Sequence, residues 1–431
     1  MVNTRLILLE AKVYKNMKTK VKKSLSCRVC SNKKMVKVLS LGKSPLANSF
    51  LRPKELKLHE DFFPLELKLC KKCGLVQLAD IVNPDLMFRN YLYVSSTSRS
   101  FVEHFERFAQ EINNRFHLGR NNLIVDIGSN DGILLKPLKK LGVKTLGVDP
   151  AKNVAEIASK AGIETIVDFF NEKVAHRILR EYGKAKIITA ANVFAHTNNW
   201  DEFVKSAKIL LSKDGVLIIE APYLLDFIKK NLFDTVYHEH LSYMAVRPLI
   251  KFFKKHKMPI FDVQKVSSHG GSIRVFIKNS KGPYKLESSV YDFVKKEKSN
   301  GLALTATYKK FSKKIENNKQ KLIKLLKSLK KNGRTIIGFG APAKGNTLLN
   351  YFGIGPELID YIVDDSKLKQ GLYTPGTHIR INPPNKLKGH DADYILILAW
   401  NFADKIIEKY SYLRKEGVKF IIPVPTPRIV T

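Results

Sequence analysis

Short apolar runs alternate with stretches of helical periodicity through the middle of the chain. Apolar runs bounded by turn formers indicate buried strands, and strands that alternate with helices are typical of a mostly parallel sheet. This pattern predicts strands near residues 123–127, 144–148, 163–167, 186–190 and 215–220. A helix precedes them, because Phe101, Phe105, Phe108 and Ile112 recur at helical spacing.

Two further strands are predicted at 259–266 and 272–278. The loop SSHGGS between them is short enough for an antiparallel connection. Parallel strands followed by such a pair form the seven-stranded variant of a doubly wound sheet. We therefore predict an α/β fold whose main domain covers residues 101–282.

A second, smaller α/β domain is predicted at 283–431. It begins with a Lys-rich helical region at about 285–333. Strands are then predicted at 335–339, 358–363, 394–398 and 420–424. At the other end of the chain, residues 1–25 are interpreted as a basic N-terminal extension.

Composition narrows the class of protein. With 431 residues, 44% of them hydrophobic, the chain is long enough for about three domains and too apolar for intrinsic disorder. No apolar run approaches the ~18–20 residues of a membrane span, so we expect no membrane partner. Four cysteines cannot staple a secreted chain of this length, and a secretory signal pattern is absent, so we expect a cytoplasmic protein.

The charge balance is strongly basic. Lys and Arg number 75 against 39 Asp and Glu, which gives a net charge of +36. This favours an anionic partner such as nucleic acid, a phosphorylated metabolite or an acidic membrane face. Lysine is spread along the chain, however, which is also typical of a solvated basic surface.

All four cysteines fall into two Cys-x-x-Cys pairs, Cys27 with Cys30 and Cys70 with Cys73. Two such pairs are typical of a tetrahedral Zn²⁺ site, whereas a redox pair would be single and part of a thioredoxin-like βαβ unit. Because the protein supplies all four ligands, the zinc is predicted to be structural. Turn formers surround the cysteines, so residues 26–100 are predicted to form a loop-rich zinc-binding module followed by a substrate-lid segment.

A glycine-containing turn follows the first strand of the main domain and includes Asp126, Gly128, Ser129, Asn130 and Gly132. Its glycines allow a ligand to approach the backbone closely. At the end of the second strand, Asp149, followed by Pro150, can accept both hydroxyls of a ribose. The dinucleotide fingerprint GxGxxG is absent, which favours S-adenosylmethionine (SAM) over NAD and a class I methyltransferase sheet.

The third and fourth strands also end in polar or aromatic residues. Asp168 and Phe169 offer a hydrogen-bond acceptor and a ring for adenine. Asn192, Phe194 and His196 follow the fourth strand, where cofactor and substrate meet in such sheets. We predict that these residues contribute to the cofactor site.

The motif Tyr237-His-Glu239-His240 follows the fifth strand, in a segment too polar for core. A histidine here can act as general base, with glutamate or tyrosine orienting it or bonding a substrate oxygen. A metal site on His-Glu-His is the alternative, although the spacing HExxH is not met.

In the last domain, the stretch GFGAPAKGNT follows a strand and precedes a helix. Its backbone N–H groups and Lys344 can cradle a diphosphate. The alternative is a close-packed turn without a ligand, since the stretch is not a Walker loop.

Over about residues 26–425, the chain resembles the zinc-containing, SAM-dependent C-methyltransferases of nucleotide-linked deoxysugars. The resemblance rests on the paired cysteines and on LGKSPLANSF, YLYVSSTS, VDIGSNDG, NVFAHT, YHEHLSY, HGGSIRVF, GFGAPAKGNTLLN and KQGLYTPG. It implies a SAM domain between a zinc module and a C-terminal α/β domain, with the sugar nucleotide held between domains.

The resemblance also implies roles for individual residues. His240 is the base, Glu239 and Tyr237 lie beside it, and Tyr91 or Tyr93 reaches the sugar. The substrate-binding residues that it implies are His269, Arg274, Lys344 and Asn346. The implied reaction is deprotonation of a carbon next to a ketone, typically C3 of a TDP-4-keto-6-deoxyhexose, after which that carbon attacks the SAM methyl group.

Two alternative functions remain open from the sequence. An O- or N-methyltransferase on a nucleotide sugar would use His240 to deprotonate a hydroxyl. An RNA methyltransferase would use the zinc knuckles and the net charge for binding, but the aromatic residues are not interleaved with one basic patch. We expect a nucleotide-sugar partner, no nucleic acid and a monomer.

Overall fold

The computed structural model describes residues 20–89, 91–387 and 392–431. Most of the predicted N-terminal extension, residues 1–19, lies outside this range. Its last part is integrated into the fold, because Val21–Lys23 forms strand β1 and pairs antiparallel with β5, Asp80–Val82. None of the helices in the described part of the chain is long and apolar enough to cross a membrane.

The N-terminal module is built on antiparallel strands. Strands β2 (Met35–Ser44), β3 (Phe63–Cys70) and β4 (Val76–Leu78) form a sheet, and its fourth strand, β11 (Ser242–Tyr243), comes from the main domain. The predicted loop-rich module therefore contains a sheet that its turn formers did not indicate. Residues 63–69 alternate between buried and half-buried positions, which is the period of a strand.

The central domain contains the predicted seven-stranded sheet. Its strands are β6 (Leu123–Ile127), β7 (Lys144–Val148), β8 (Thr165–Ile166), β9 (Ala185–Ala191), β10 (Leu211–Pro222), β12 (Ile260–Val266) and β13 (Ser272–Lys278). They lie in the order β12-β13-β10-β9-β6-β7-β8, and β13 runs antiparallel to both of its neighbours. This confirms the predicted fold class, and β6 is buried along its whole length, as expected for a central parallel strand.

Helices cover both faces of this sheet. Ile124 and Val125 are adjacent in β6 but belong to two different hydrophobic cores, one on each face. The helices of this part of the chain are α1 (Asp85–Phe88), α2 (Arg99–Phe116), α3 (Leu135–Lys140), α4 (Lys152–Lys160), α5 (Glu172–Tyr182), α6 (Trp200–Leu210), α7 (Leu224–Lys229) and α8 (Val246–Lys255).

The C-terminal domain is a second, smaller doubly wound sheet. Its strands are β14 (Ile336–Phe339), β15 (Ile362–Val363), β16 (Ile381–Asn382), β17 (Tyr394–Ile397), β18 (Lys419–Ile422) and β19 (Arg428–Val430). Its helices are α9 (Ser288–Ser299), α10 (Thr305–Lys331), α11 (Ala343–Phe352), α12 (Ala403–Lys409) and α13 (Ser411–Lys415). The strand order is β16-β15-β14-β17-β18-β19, so the direction of winding reverses between β14 and β17. Ligands of such sheets bind at that reversal.

A charged cluster is buried inside the main domain. Glu220, at 0% exposure, accepts hydrogen bonds from Arg274 Nε at 3.1 Å and from His104 Nε2 at 2.7 Å. Arg274 also pairs with Glu111. Burial opposes ionisation of Glu220, but His104 and Arg274 outweigh it and lower its pKa to about 2. Arg274, which was expected to bind substrate, is therefore occupied by two carboxylates inside the domain.

We expect Glu220→Gln to lower the free energy of unfolding by about 3 kcal/mol at pH 7, because it leaves the Arg274 charge poorly paired. A carboxylate with a lowered pKa stabilises the fold above its unfolded pKa of about 4.5, and this contribution is lost as the pH falls towards 2. The difference between the variant and the wild type should therefore shrink in urea unfolding at pH 3.5. Glu111→Gln is the control, since that side chain is 59% exposed, and its effect should stay below about 1 kcal/mol.

Candidate active site

A cavity of about 500 Å³ opens at the carboxyl edge of the seven-stranded sheet. All three parts of the chain contribute to its wall. The predicted site residues that line it are Tyr91, Tyr93, Asp126, Gly128, Ser129, Asn130, Asp149, Pro150, Asp168, Phe169, Asn192, His196, Tyr237, His240, His269 and Lys344. The structure thus brings most of the predicted residues together around one space.

Several predicted residues do not reach this cavity. Phe194 packs against Trp200, with ring centroids 4.4 Å apart, because its side chain points into the core. Asn346 donates a hydrogen bond to the carbonyl oxygen of Ala47 at 2.7 Å. Gly132 serves the turn itself, with a φ of +78°, and Arg274 is held in the buried ion cluster. These four residues therefore do not line the cavity.

Asp149 has the geometry of a ribose acceptor. The backbone N–H of Asn130 donates to its Oδ2 at 2.8 Å, and that of Ala151 donates to its Oδ1 at 2.9 Å. Burial raises the pKa of Asp149, and these two hydrogen bonds oppose the shift. Each oxygen keeps a further lone pair, so the carboxylate can accept two hydroxyls from the cavity.

The glycine turn brings the backbone close to the ligand space. Gly128 has a φ of +68°, and a Cβ there would lie 2.2 Å from Val193 Cγ2, so a larger residue cannot fit. At the end of β9, Asn192 also has a positive φ, +61°. Its buried Oδ1 has no hydrogen-bond partner among the described residues. A donor on a bound ligand would satisfy that oxygen.

Asn130 ties the segment of Tyr91 and Tyr93 to the glycine turn. Its Nδ2 donates to the carbonyl oxygen of Tyr93 at 3.0 Å, and its Oδ1 accepts the N–H of Ser95 at 2.9 Å. Asn153 likewise accepts the backbone N–H of Tyr91 at 3.1 Å. These hydrogen bonds hold the segment against the glycine turn, so that Tyr91 and Tyr93 line the cavity.

His240 is the histidine of its motif that faces the cavity. Its Nδ1 donates to the carbonyl oxygen of Thr235 at 2.7 Å, since a carbonyl can only accept, and this leaves Nε2 with a free lone pair. Burial lowers the pKa of His240 to about 4, so the ring is neutral at pH 7. Tyr237 and His196 lie against it, with ring centroids 4.0 Å and 5.1 Å away. Such a ring can accept a proton at Nε2.

Glu239 lies behind the cavity wall and orients Tyr91. Its Oε2 accepts the Tyr91 hydroxyl at 2.7 Å, and its Oε1 accepts Nδ2 of Asn48 at 2.6 Å. Burial raises the pKa of Glu239 to about 7, while burial and the nearby carboxylate raise the pKa of Tyr91. Tyr91 is thereby fixed, and Tyr93 lies beside it with ring centroids 6.3 Å apart.

The His-Glu-His alternative does not form a metal site. Nε2 of His238 lies 3.2 Å from the carbonyl oxygen of Phe63, and the ring is turned away from the cavity. In the described part of the chain, the four cysteines are the group of potential ligands that clusters. His238 therefore packs against the N-terminal module, whereas His240 lines the cavity.

The C-terminal domain contributes two lysines to the cavity at the reversal of its sheet. Lys344 donates to Oδ1 of Asn401 and lies 4.3 Å from the centre of the Trp400 ring. Burial lowers the pKa of Lys344 to about 8, against the opposing effect of Asp234. Lys369, which the sequence did not suggest, donates to the carbonyl oxygen of Ala341 at 2.8 Å. Two ammonium groups at such a crevice can bind phosphate oxygens.

The four cysteine sulfurs form a compact group, all within 4.8 Å of one another. Sγ of Cys27 lies 3.4 Å from that of Cys73, and Sγ of Cys30 lies 3.6 Å from that of Cys70. None of the four is in a disulfide. A tetrahedral Zn²⁺ with Zn–S distances of about 2.3 Å requires sulfurs about 3.8 Å apart, so the group fits zinc with no open position.

This zinc centre is connected directly to the segment that carries His240. Strand β4 pairs with β11, which begins two residues after His240. The carbonyl oxygen of Leu241 accepts the backbone N–H of Leu78 and Nη1 of Arg28, both at 3.0 Å. Arg28 lies between the first two cysteines, and its Nε also reaches Oδ1 of Asn198, two residues after His196, at 3.2 Å. Arg28, in the first Cys-x-x-Cys pair, therefore contacts both the segment that carries His196 and the segment that carries His240.

Sequence reasoning missed Arg28, Asn48, Thr235 and Lys369. Asn48 and Lys369 lie in the stretches LGKSPLANSF and KQGLYTPG, on which the resemblance rested without assigning them a role. Arg28 and Thr235 act through contacts to residues far away in sequence or through a backbone carbonyl. Neither kind of contact leaves a local sequence pattern.

Fold and site together define a SAM-dependent methyltransferase with a four-cysteine zinc-binding module. Three family models match in succession along the chain. They describe a zinc binding domain at residues 27–88, a methyltransferase domain at 101–257 and a C-methyltransferase C-terminal domain at 267–425.

The C-methyltransferase NovU of Streptomyces niveus is 35% identical over 405 residues, which cover 94% of this chain and 96% of that protein. The chain therefore belongs to the family of zinc-containing, SAM-dependent C-methyltransferases. A ubiquinone biosynthesis O-methyltransferase of Pelagibacter ubique is 27% identical over 100 residues, or 23% of this chain and 42% of that protein. A solved SAM-dependent methyltransferase of Anabaena variabilis is 18% identical, with a TM-score of 0.32 over 41% of this chain and 94% of that one.

Removal of zinc by a chelator should loosen residues 238–244 together with the N-terminal module. The reason is that β11 is held at the edge of the sheet that the zinc stabilises. We expect amide hydrogen exchange in these residues to accelerate at least about tenfold, while β14 in the C-terminal domain keeps its protection. An unchanged exchange rate at 238–244 in metal-free protein would contradict the connection between zinc and the His240 segment.

Proposed function

We propose that this C-methyltransferase acts on a nucleoside-diphosphate 4-keto-6-deoxysugar and methylates the carbon next to the ketone, C3, with His240 as the base. The observation that carries the proposal is the place of His240, whose ring lines a cavity shared by all three parts of the chain and whose Nδ1, but not Nε2, is bonded to Thr235. The identity of the sugar, the position of the acceptor carbon and the role of His240 are all part of the proposal.

The chemistry requires a base that is unprotonated at neutral pH. A carbon next to a ketone is a weak acid, and it becomes a nucleophile only when its proton is removed. Nε2 of His240 takes that proton, while Nδ1 remains bonded to Thr235, so that the ring keeps its orientation as it becomes an imidazolium. Burial keeps the ring neutral before the reaction, because it lowers the pKa of His240 to about 4.

The enolate that results carries its charge on the C4 oxygen. Donors aimed at that oxygen stabilise it most strongly in a site that excludes water. Tyr237, 4.0 Å from the His240 ring by centroid, is the hydroxyl group available for this role, because the Tyr91 hydroxyl already donates its proton to Glu239. Burial raises the pKa of Tyr237, so its hydroxyl remains protonated and able to donate.

When bound, SAM supplies the electrophilic methyl group. Asp149 and Asn192 offer acceptor oxygens for its ribose hydroxyls and its ammonium group. His240 takes the C3 proton, C3 would then accept the methyl group from the sulfur of SAM, and His240 would release its proton to solvent. The main contribution of the protein is to hold the two reacting carbons about 3–3.5 Å apart.

The nucleotide would lie against the C-terminal domain. Lys344 and Lys369 line the cavity at the reversal point of the second sheet, where a diphosphate has both charge partners and backbone donors within reach. The same cavity continues to His240 and Asp149. This cavity can therefore hold a substrate whose charged end lies at the two lysines and whose ketone end lies at His240.

The proton abstraction can be tested without methyl transfer. In D₂O, with S-adenosylhomocysteine in place of SAM, the protein should exchange deuterium into C3 of TDP-4-keto-6-deoxyglucose, as followed by NMR. His240→Asn should reduce this exchange at least about 100-fold, because no other base takes over.

His238→Gln is the matched control, since His238 lies in the same motif but faces Phe63. It should retain the exchange. Exchange that persists in His240→Asn would show that another residue is the base. A wild-type protein that exchanges no deuterium into C3, but methylates an oxygen of the sugar once SAM is supplied, would favour an O-methyltransferase.

The cofactor site has a separate test. Asp149→Ala should raise the Kd for SAM by about tenfold to 100-fold in calorimetric titration, because hydrogen bonds to a charged carboxylate are lost. Asp364→Ala is the matched control. Asp364 also accepts two backbone N–H groups, from Ala341 at 2.6 Å and from Ser366 at 2.7 Å, but it lies in the C-terminal domain. Equal losses in both variants would contradict the assignment of Asp149.

A further inference from the structure

The turn Phe233–Thr235 lies at the contact between the main and the C-terminal domain. Phe233 is fully buried, and its ring stacks on Phe352 of α11 with centroids 5.1 Å and planes 15° apart. Asp234 follows it, also at 0% exposure. This turn belongs to the main domain but is packed by the C-terminal one.

Asp234 is bonded to the C-terminal domain through an indole. Nε1 of Trp400 donates to Oδ2 of Asp234 at 2.5 Å. Trp400 begins the short helical turn that follows β17, at the reversal point of the second sheet. A hydrogen bond to a buried carboxylate is among the stronger contacts available between two domains.

The face of the indole ring contacts Lys344, the lysine of the proposed nucleotide subsite. Nζ of Lys344 lies 4.3 Å from the centre of the Trp400 ring, a distance at which a cation is attracted to the ring face. The Lys344 charge also acts on Asp234 through space. Lys344, Trp400 and Asp234 are thus one connected group.

The turn ends at the group that orients His240. Thr235 is its last residue, and its carbonyl oxygen accepts the hydrogen bond from Nδ1 of His240 at 2.7 Å. A shift of this turn would move the carbonyl and release Nδ1. The path from Lys344 to His240 therefore consists of a cation–ring contact, a hydrogen bond, one peptide unit and a second hydrogen bond.

We propose that Asp234 is a positioning residue. Its hydrogen bond to Trp400 fixes the Thr235 carbonyl, and this carbonyl sets the orientation of His240. Trp400 also contacts Lys344, so one indole ring links the lysine to the histidine. The inference rests on the proposed function where it treats His240 as the base and Lys344 as part of the nucleotide subsite. The geometric link between the two does not depend on that function.

The link can be tested without substrate. In protein labelled with ¹⁵N-histidine, the His240 resonance is assigned by its loss in His240→Asn and should report the Nδ1–H tautomer. Trp400→Phe keeps an aromatic ring but removes the N–H donor, and we expect the Nε2–H tautomer to become populated. Asp234→Ala should do the same, whereas Asp234→Asn, which keeps an acceptor oxygen for Trp400, should retain the wild-type tautomer.

The chain offers a matched control in its other tryptophan. Trp200 is 1% exposed, and its Nε1 has no hydrogen-bond partner in the described part of the chain. Trp200→Phe makes the same chemical change inside the main domain and should leave the His240 tautomer unchanged. An equal effect of both substitutions would mean that general loosening is responsible, and would overturn the inference.

The effect on catalysis can be measured as kcat and KM with TDP-4-keto-6-deoxyglucose and SAM as substrates. Trp400→Phe should lower kcat by about tenfold or more through misplacement of the base, with KM changed less than about twofold. If this sugar is not methylated even by the wild type, the proposed substrate is wrong, while the tautomer measurement still decides the inference. A wild-type tautomer in both Trp400→Phe and Asp234→Ala would overturn it.

Discussion

The backbone pairing between β4 and β11 is the contact on which the rest of the site depends. It attaches a two-residue strand of the main domain to the edge of the zinc-stabilised sheet. The carbonyl of Leu241 receives donors from Leu78 and Arg28, and His240 precedes it directly. A structural metal can in this way determine the geometry of the site without lining the cavity, because the sheet that it holds together positions His240.

Desolvation is the second constraint, and it acts in opposite directions on the groups around the cavity. It lowers the pKa of His240 to about 4 and that of Lys344 to about 8, while it raises the pKa of Glu239 to about 7. Each shift favours the neutral form. The result is a proton acceptor, hydroxyl donors and a hydrogen-bonded carboxyl that interact at short range with little competition from water.

The sequence predicted the central sheet well because β6, β9 and β10 are apolar runs buried on both faces. It missed β3, although Leu alternates there with Glu and Lys, which is the period of a half-buried strand. It also missed β16 and β19, which are two and three residues long. For the site, residues at strand ends were predictable, since topology brings those ends together. The direction of a side chain was not, so Phe194 and Arg274 were assigned to a cavity that they do not reach.

The contacts that sequence could not supply are those between domains, and they explain why the three parts act as one unit. Glu239 belongs to the main domain, yet Asn48 of the zinc module satisfies one of its oxygens. Asp234 is likewise bonded by Trp400 of the C-terminal domain. In an isolated main domain, both buried carboxyl groups would lose these partners, at a cost of about 1–3 kcal/mol for each unmet hydrogen bond. The domain boundaries visible in the sequence therefore hide the fact that the segment between residues 233 and 243 receives hydrogen bonds from both neighbouring parts of the chain.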